Sequence, residues 1–321
     1  MGSSTSAILP SYQLNEPPED YTAVASTDSA LLFINETNTV EIRRFEGETQ
    51  QIPLNLQPTC CNMSYSNGWF LGFKTGQITE FDSNFEVVMS YRLPGSVRAH
   101  ESEVLSLAEV DSGDIRLVSY GADGFIRSWS KYGQLLNSFP LNISSSNLSS
   151  QLCISDSAVW YVDEGGKTVS SYNYSTKRTS SILLTNTVVF LKSIAVGRAA
   201  LVIFDDGSIV LISPTTHIAK FDFQALSKAQ ELIPLNVEEQ VGLITYAVKD
   251  EEGNCTMRAL DEITGNIGKA PENYATSPSF ITTISDKIVV YKRGDVEALS
   301  MYNMPDLGLP WTNIAEFLMK E

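Results

Sequence analysis

Three residues in one short stretch carry the side chains of a hydrolase triad: His100, Ser119 and Asp123. An imidazole that takes a proton from a hydroxyl, and is itself oriented by a carboxylate, is the chemistry of acyl transfer. Trp129 stands beside them, and a triad has no use for it. An orderly strand register accounts for all four residues, whereas a catalytic trio accounts for only three. The two readings predict different outcomes. If His100 braces the fold, His100→Ala lowers the melting temperature; if His100 is catalytic, the change alters activity and leaves stability nearly untouched.

The elements that must position these groups are strands. Val104 to Val110 alternates apolar and polar residues, Ile115 to Gly121 does so again, and Ala122-Asp123-Gly124 is hairpin chemistry before Phe125. Phe125 to Trp129 reads as a third strand. Gln134 to Leu141, after the turn residues Lys131-Tyr132-Gly133, reads as a fourth. Four antiparallel strands joined by short turns make one blade of a β-propeller.

On these residues the segment from Arg98 to Trp129, RAHESEVLSLAEVDSGDIRLVSYGADGFIRSW, resembles a WD-repeat. The family pattern is a Gly-His pair, a strand, an Asp in a tight turn and a Trp closing the third strand. Here Ala99-His100 replaces Gly-His, and Trp129-Ser130 replaces Trp-Asp. By position His100, Ser119, Asp123 and Trp129 match the family's buried relay, in which Asp holds His, His meets Ser, and Ser meets the indole N–H. The resemblance implies that the four residues support the fold, since a buried N–H left unpaired costs about 1–3 kcal/mol.

A blade cannot bury both faces without neighbours, so similar units must recur. Third strands are expected to begin near Val40, Ile78, Ile126, Val169, Ile209, Thr256 and Val296, at successive separations of 38, 48, 43, 40, 47 and 40 residues. Each is preceded by an apolar run: Ala30 to Ile34, Trp69 to Phe73, Ile115 to Tyr120, Val159 to Val162, Ala199 to Phe204, Val241 to Ala247 and Lys287 to Tyr291. Between run and strand lie Thr37-Asn38, Thr75-Gly76, Asp123-Gly124, Gly165-Gly166, Asp206-Gly207, Glu252-Gly253 and Gly294-Asp295, residues suited to tight hairpins. The expected fold is an all-β, single seven-bladed propeller of four-stranded blades. Only the third unit keeps the full relay; elsewhere the His is missing, and Phe45, Phe81 or Tyr172 stands near the Trp position.

The last unit offers three strands, Ser279 to Ile284, Lys287 to Tyr291 and Val296 to Asn303, while Ala7 to Leu14 is left over at the other end. The family closes its ring by pairing an N-terminal strand with the last blade, which removes unpaired sheet edges. The expected organisation is a leader over residues 1–6, the propeller over 7–304, and a turn and short helix over 305–321. In that helix Ile314, Phe317 and Leu318 line one face, suited to packing across the propeller or docking into another subunit. The Ser- and Asn-rich stretch from Leu141 to Ser150 reads as an exposed loop between blades.

Composition narrows the function classes. A net charge of −16 lacks the electrostatic footprint of a nucleic-acid binder and suits solubility and a basic partner. The basic pairs Arg43-Arg44, Lys177-Arg178 and Lys292-Arg293 read as solvated surface features. Cys60, Cys61, Cys153 and Cys255 have no metal-site spacing and read as buried free thiols. Residues 1–20 hold no apolar signal core, and no run approaches transmembrane length. The six Asn-X-Ser/Thr sequons, at Asn35, Asn62, Asn142, Asn147, Asn173 and Asn254, carry little weight in so Ser- and Thr-rich a chain. An intracellular protein, cytoplasmic or nuclear, is expected. Met1 to Ser6 matches a myristoylation start only loosely.

The expected function is a non-enzymatic interaction scaffold within a multi-protein assembly, binding other proteins and needing no cofactor or metal. General bases are scarce, with His100 and a surface His217 the two histidines. The alternative is a propeller-shaped enzyme, a hydrolase or quinone-dependent dehydrogenase, using turn carboxylates such as Asp163, Glu164, Asp205 and Asp206. The resemblance implies that partners meet the loops before the first strand and between the second and third strands. Here those positions hold Arg98, Glu101, Tyr120, Lys74 and Asp206, with Arg98 and Tyr120 as the expected anchors.

Overall fold

The computed structural model describes residues 12–14, 21–26, 30–35, 38–44, 49–141, 143, 151–194, 199–213, 218–224, 230–233, 239–240, 243–250, 255–261, 267–269, 280–284, 287–292 and 298–303; before Ala25 and beyond Ser213 it describes the backbone alone. The chain divides into two compact units, Pro18–Leu183, and Met1–Pro17 with Leu184–Glu321. The expected C-terminal helix with Ile314, Phe317 and Leu318, His217, and the side chain of Cys255 lie outside the described residues.

Strand β1 (Tyr12–Leu14) belongs to the second of these units. The first unit holds four antiparallel sheets, each of four strands in chain order. They are β2 (Tyr21–Ser26), β3 (Ala30–Asn35), β4 (Thr39–Arg44) and β5 (Thr49–Pro53); then β6 (Pro58–Met63), β7 (Trp69–Phe73), β8 (Ile78–Phe81) and β9 (Val87–Tyr91). The third sheet is β10 (Val104–Ser112), β11 (Ile115–Gly121), β12 (Phe125–Ser130) and β13 (Leu135–Pro140). The fourth is β14 (Leu152–Ile154), β15 (Ala158–Val162), β16 (Thr168–Asn173) and β17 (Arg178–Leu183). The third sheet follows the sequence expectation strand for strand.

Neighbouring sheets in this unit pack face to face. Leu32, Ile34, Val40 and Ile42 meet Trp69, Leu71 and Phe73. The other face of the second sheet brings Phe70, Ile78 and Tyr91 onto Val104, Leu117 and Trp129. Val118, Tyr120 and Ile126 then meet Leu152, Val159 and Tyr172. Fully burying one such side chain contributes about 1.5–3 kcal/mol, so a sheet with two apolar faces is stable only between neighbours. This is why β7 reads as an unbroken apolar run and is buried at every position.

The second unit holds β18 (Val188–Ile194), β19 (Ala199–Phe204), β20 (Ser208–Ile212) and β21 (Ile218–Gln224) as one sheet. A second comprises β22 (Gln230–Ile233), β23 (Glu239–Gln240), β24 (Leu243–Asp250), β25 (Cys255–Asp261) and β26 (Ile267–Lys269). Its two-residue β23 pairs with the start of β24, a fifth strand too short to leave a sequence signal. The last is β27 (Phe280–Ile284), β28 (Lys287–Lys292) and β29 (Ala298–Asn303), and β1 adds to it as the fourth strand, antiparallel to β29 with Gln13 opposite Ser300.

The hairpins behave as their residues predict. Asn38, Gly76, Gly124, Gly166 and Gly207 all have positive φ. Gly76 is also required by space, because a Cβ there would lie 2.0 Å from the His100 carbonyl oxygen.

Two expectations are corrected. Leu141 and Ile143, expected in an exposed loop over Leu141 to Ser150, are buried in the core between the third and fourth sheets, while residues 142 and 144–150 lie outside the described residues. Arg43 is not solvated. It is buried on β4, ion-paired with Glu41 and lying over the Phe33 ring.

Candidate functional site

His100 follows the tight β7–β8 turn in space, because its backbone N–H and that of Ala99 both donate to the Gly76 carbonyl. Ser119 comes from β11, Asp123 from the β11–β12 turn, and Trp129 from β12. The four side chains form one hydrogen-bonded row. Trp129 Nε1–H donates to Ser119 Oγ at 2.8 Å, and Ser119 Oγ lies 2.8 Å from His100 Nε2. His100 Nδ1 lies 3.0 Å from Asp123 Oδ1. A carboxylate only accepts, so Nδ1 carries the proton, Nε2 accepts, and the Ser119 hydroxyl donates to it. Every donor in the row is then satisfied with a neutral imidazole.

Burial pushes the His100 pKa down; hydrogen bonding to Asp123 opposes this, and the charge of Arg127 adds to the lowering. Burial pushes Asp123 up. Hydrogen bonds from His100, the Glu101 backbone N–H and Arg127 outweigh it and hold the carboxyl well below its usual range. The row therefore consists of a fixed carboxylate and a fixed neutral ring.

His100 and Ser119 are both 0% exposed, and Ser119 Oγ is committed on two sides. A hydroxyl so placed presents no nucleophile to a substrate. Gly121 shows how tightly the ring is enclosed, since a Cβ there would lie 2.3 Å from His100 Nδ1.

The sequence reading missed a fifth member. Arg127 donates from Nη1 to Asp123 Oδ2 at 2.7 Å, touches His100 Nδ1, and lies 5.0 Å over the Phe125 ring. Its signal was present: a charge four residues after Asp123, on the strand face it shares with Phe125 and Trp129. A second network, of buried carboxylates around a partly exposed guanidinium, was missed as well. Arg116 on β11 reaches Glu80 on β8 at 2.6 Å and Glu109 on β10 at 3.2 Å, while the Tyr91 hydroxyl donates to Glu80. Two carboxylates share one guanidinium. Burial raises the pKa of Glu109, against the lowering effect of the Tyr65 N–H and of Arg116.

The expected partner-binding residues separate into groups. Lys74, Arg98 and Glu101 are exposed, and the Gly76 carbonyl ties the turn carrying Lys74 to the loop carrying Arg98. That loop is held along its length: Leu93 N–H donates to the Arg98 carbonyl, Arg98 N–H to Ser96 Oγ, and Glu101 N–H to Asp123. Val97 stands beside Arg98, 67% exposed. Tyr120 is corrected. It is 3% exposed and part of the core between the third and fourth sheets, so it offers no free aromatic anchor. Asp206 belongs to the other unit, exposed and capping its own turn through Ser208 and Asn186.

Asp163 likewise caps its own hairpin through the Lys167 and Thr168 N–H groups, and Glu164 and Asp205 are exposed. Among the described residues no three His, Cys, Asp or Glu side chains are grouped to hold a metal ion. Cys60, Cys61 and Cys153 are in no disulfide; Cys60 is buried and its thiol pushed up to about 12, while the other two are partly exposed rather than buried as expected.

No family model matches the chain, and no curated protein sequence matches it. Solved structures do. The structure of U3-55K is similar with a TM-score of 0.65 at 11% identity, over 92% of this chain and 100% of that one. A chain of the mitotic checkpoint complex is similar with a TM-score of 0.67 at 12% identity, over 93% of each. At these identities the likeness shows a shared fold alone, one that accords with the repeated four-stranded antiparallel sheets.

Proposed function

We propose that the chain is a non-enzymatic, WD-repeat-like interaction scaffold, a subunit or domain of a multi-protein assembly. The observation that carries this reading is the division of labour around His100. The side chains able to do chemistry are sealed inside and saturated, and the loops that they brace present Lys74, Arg98 and Glu101 to solvent. A rigid loop displaying an aliphatic tip beside a guanidinium is suited to binding another protein, because little ordering entropy is lost. Similarity to a chain of the mitotic checkpoint complex accords with a role in assemblies.

The architecture proposed with it is one closed seven-bladed ring over residues 7–304. Its supports are seven antiparallel sheets among the described residues and completion of the last one by β1. Also proposed, for residues outside those described, are a leader over 1–6 and a C-terminal turn and helix over 305–321 with Ile314, Phe317 and Leu318 as docking residues. Among the described residues no helix is long and apolar enough to cross a membrane. Among the described residues Cys60, Cys61 and Cys153 are in no disulfide, which suits a reducing compartment, the cytoplasm or nucleus.

Affinity purification of the tagged chain, followed by mass spectrometry, tests the reading. The wild type is expected to capture a defined set of proteins that an Arg98→Glu, Lys74→Glu variant loses while melting at the same temperature. A chain that captures no protein and retains a bound quinone or Ca²⁺ contradicts it.

A further inference from the structure

At the opposite end of the first unit, where β6 turns into β7, Tyr65 and Met63 are exposed by 58% and 40%. An exposed tyrosine is ordinarily free to rotate, but this one is fixed at two points. Its backbone N–H donates to Glu109 Oε2, and its hydroxyl donates to Asp156 Oδ1 at 3.2 Å. Asp156 Oδ1 also accepts from the Asp111 N–H at 3.1 Å. Residues from three sheets thus converge on one aromatic side chain.

The ground around it is negative. Asp111 is exposed, Asp156 is partly so, and Arg116, the cation on β11, is committed to Glu80 and Glu109. Burial, together with Asp156, Glu109 and Asp111, pushes the Tyr65 phenol up to about 12. An electron-rich ring face, an exposed thioether two residues before it in the chain and flanking carboxylates complement a long cationic side chain, which lays its alkyl stem on apolar surface and its charge on the ring. Because the ring is already held in place, covering it costs little ordering entropy.

We propose that Tyr65 and Met63, flanked by Asp111 and Asp156, form a second docking surface, whose occupant is a basic segment of a partner protein with Arg or Lys next to an aliphatic residue. The surface lies at the strand ends opposite the Arg98 loop and does not depend on that loop. The net charge of −16 draws such a segment toward the chain, and Tyr65 fixes where it sits.

The test uses a fluorescein-labelled peptide of alternating Arg and Leu, a control peptide with Glu in place of Arg, and fluorescence anisotropy at physiological ionic strength. The Arg peptide is expected to bind and the Glu peptide not to. Tyr65→Ala is expected to weaken binding by about tenfold, an Asp111→Asn, Asp156→Asn pair to do likewise, and Tyr65→Phe, which keeps the ring and loses its Asp156 anchor, to weaken it by less than Tyr65→Ala does. Tyr132→Ala, at a separate exposed tyrosine, is the control for general charge attraction and is expected to change nothing. Unaltered binding by Tyr65→Ala, equal weakening by Tyr132→Ala, or failure of the wild type to bind the Arg peptide overturns the proposal. Thermal melts of each variant show whether the fold is kept.

Discussion

Replacing His100 with alanine removes the centre of the buried row and leaves its ends in place. The bond from Nδ1–H to the Asp123 carboxylate is charge-assisted and contributes about 1.5–3 kcal/mol; the Ser119 bond to Nε2 contributes about 1 kcal/mol. The cavity left by a ring that is 0% exposed adds about 1 kcal/mol. Asp123 is not stranded, because Arg127 and the Glu101 and Phe125 N–H groups still hold it, which offsets part of the loss. The expected cost is about 3–4 kcal/mol, a large share of the roughly 5–15 kcal/mol of a typical fold. Urea denaturation followed by tryptophan fluorescence and far-ultraviolet circular dichroism reads this as a lower midpoint. Ser119→Ala and the double variant complete a cycle whose coupling is about 1 kcal/mol. The pH dependence follows from the same bonds. His100 is held neutral below its ordinary value of 6.5, so its stabilisation is fully present above about pH 6.5. It falls away as acid charges the ring, and the alanine variant lacks that part of the slope. A His100→Ala variant within about 1 kcal/mol of wild type would refute the reasoning.

Three further outcomes are expected. Glu109→Gln should leave stability unchanged or raise it near neutral pH, because the raised pKa of Glu109 means the folded state favours the uncharged form; urea midpoints across pH check this, with the gain vanishing in acid. Gly76→Ala should cost about 2 kcal/mol or more, from positive φ and collision with the His100 carbonyl, seen in thermal melts. Removing residues 1–14 should deprive β29 of its edge partner and speed amide exchange in β27–β29 relative to the intact chain.

Period-two alternation and turn chemistry made the strands legible. Trp69–Phe73 and Ala199–Phe204 stand where their apolar runs predict, and Asn38 and Gly76 take the positive φ their hairpins need. What alternation hides is the second face. Ile115–Gly121 reads as half-buried, yet its sheet is covered on both sides, which is why Tyr120 is internal. Composition misled in the same way at Leu141 and Ile143, two apolar residues at the head of a Ser-rich stretch that pack into the core. Arg127 pairs with Asp123 only four residues away, whereas Arg116 meets Glu80 only when strands distant in sequence come together, and no local pattern reports that.

The central claim, that the His100 row is a static brace and the function lies in the loops around it, is tested most directly by nitrogen NMR of the imidazole rings. With two histidines in the chain, one assigned by its loss in His100→Ala, the spectrum resolves each ring. His100 is expected to be the neutral Nδ1–H tautomer at neutral pH and to titrate below 6.5. An imidazole in the other tautomer, or one that titrates near or above neutrality as an accessible base does, would contradict the claim.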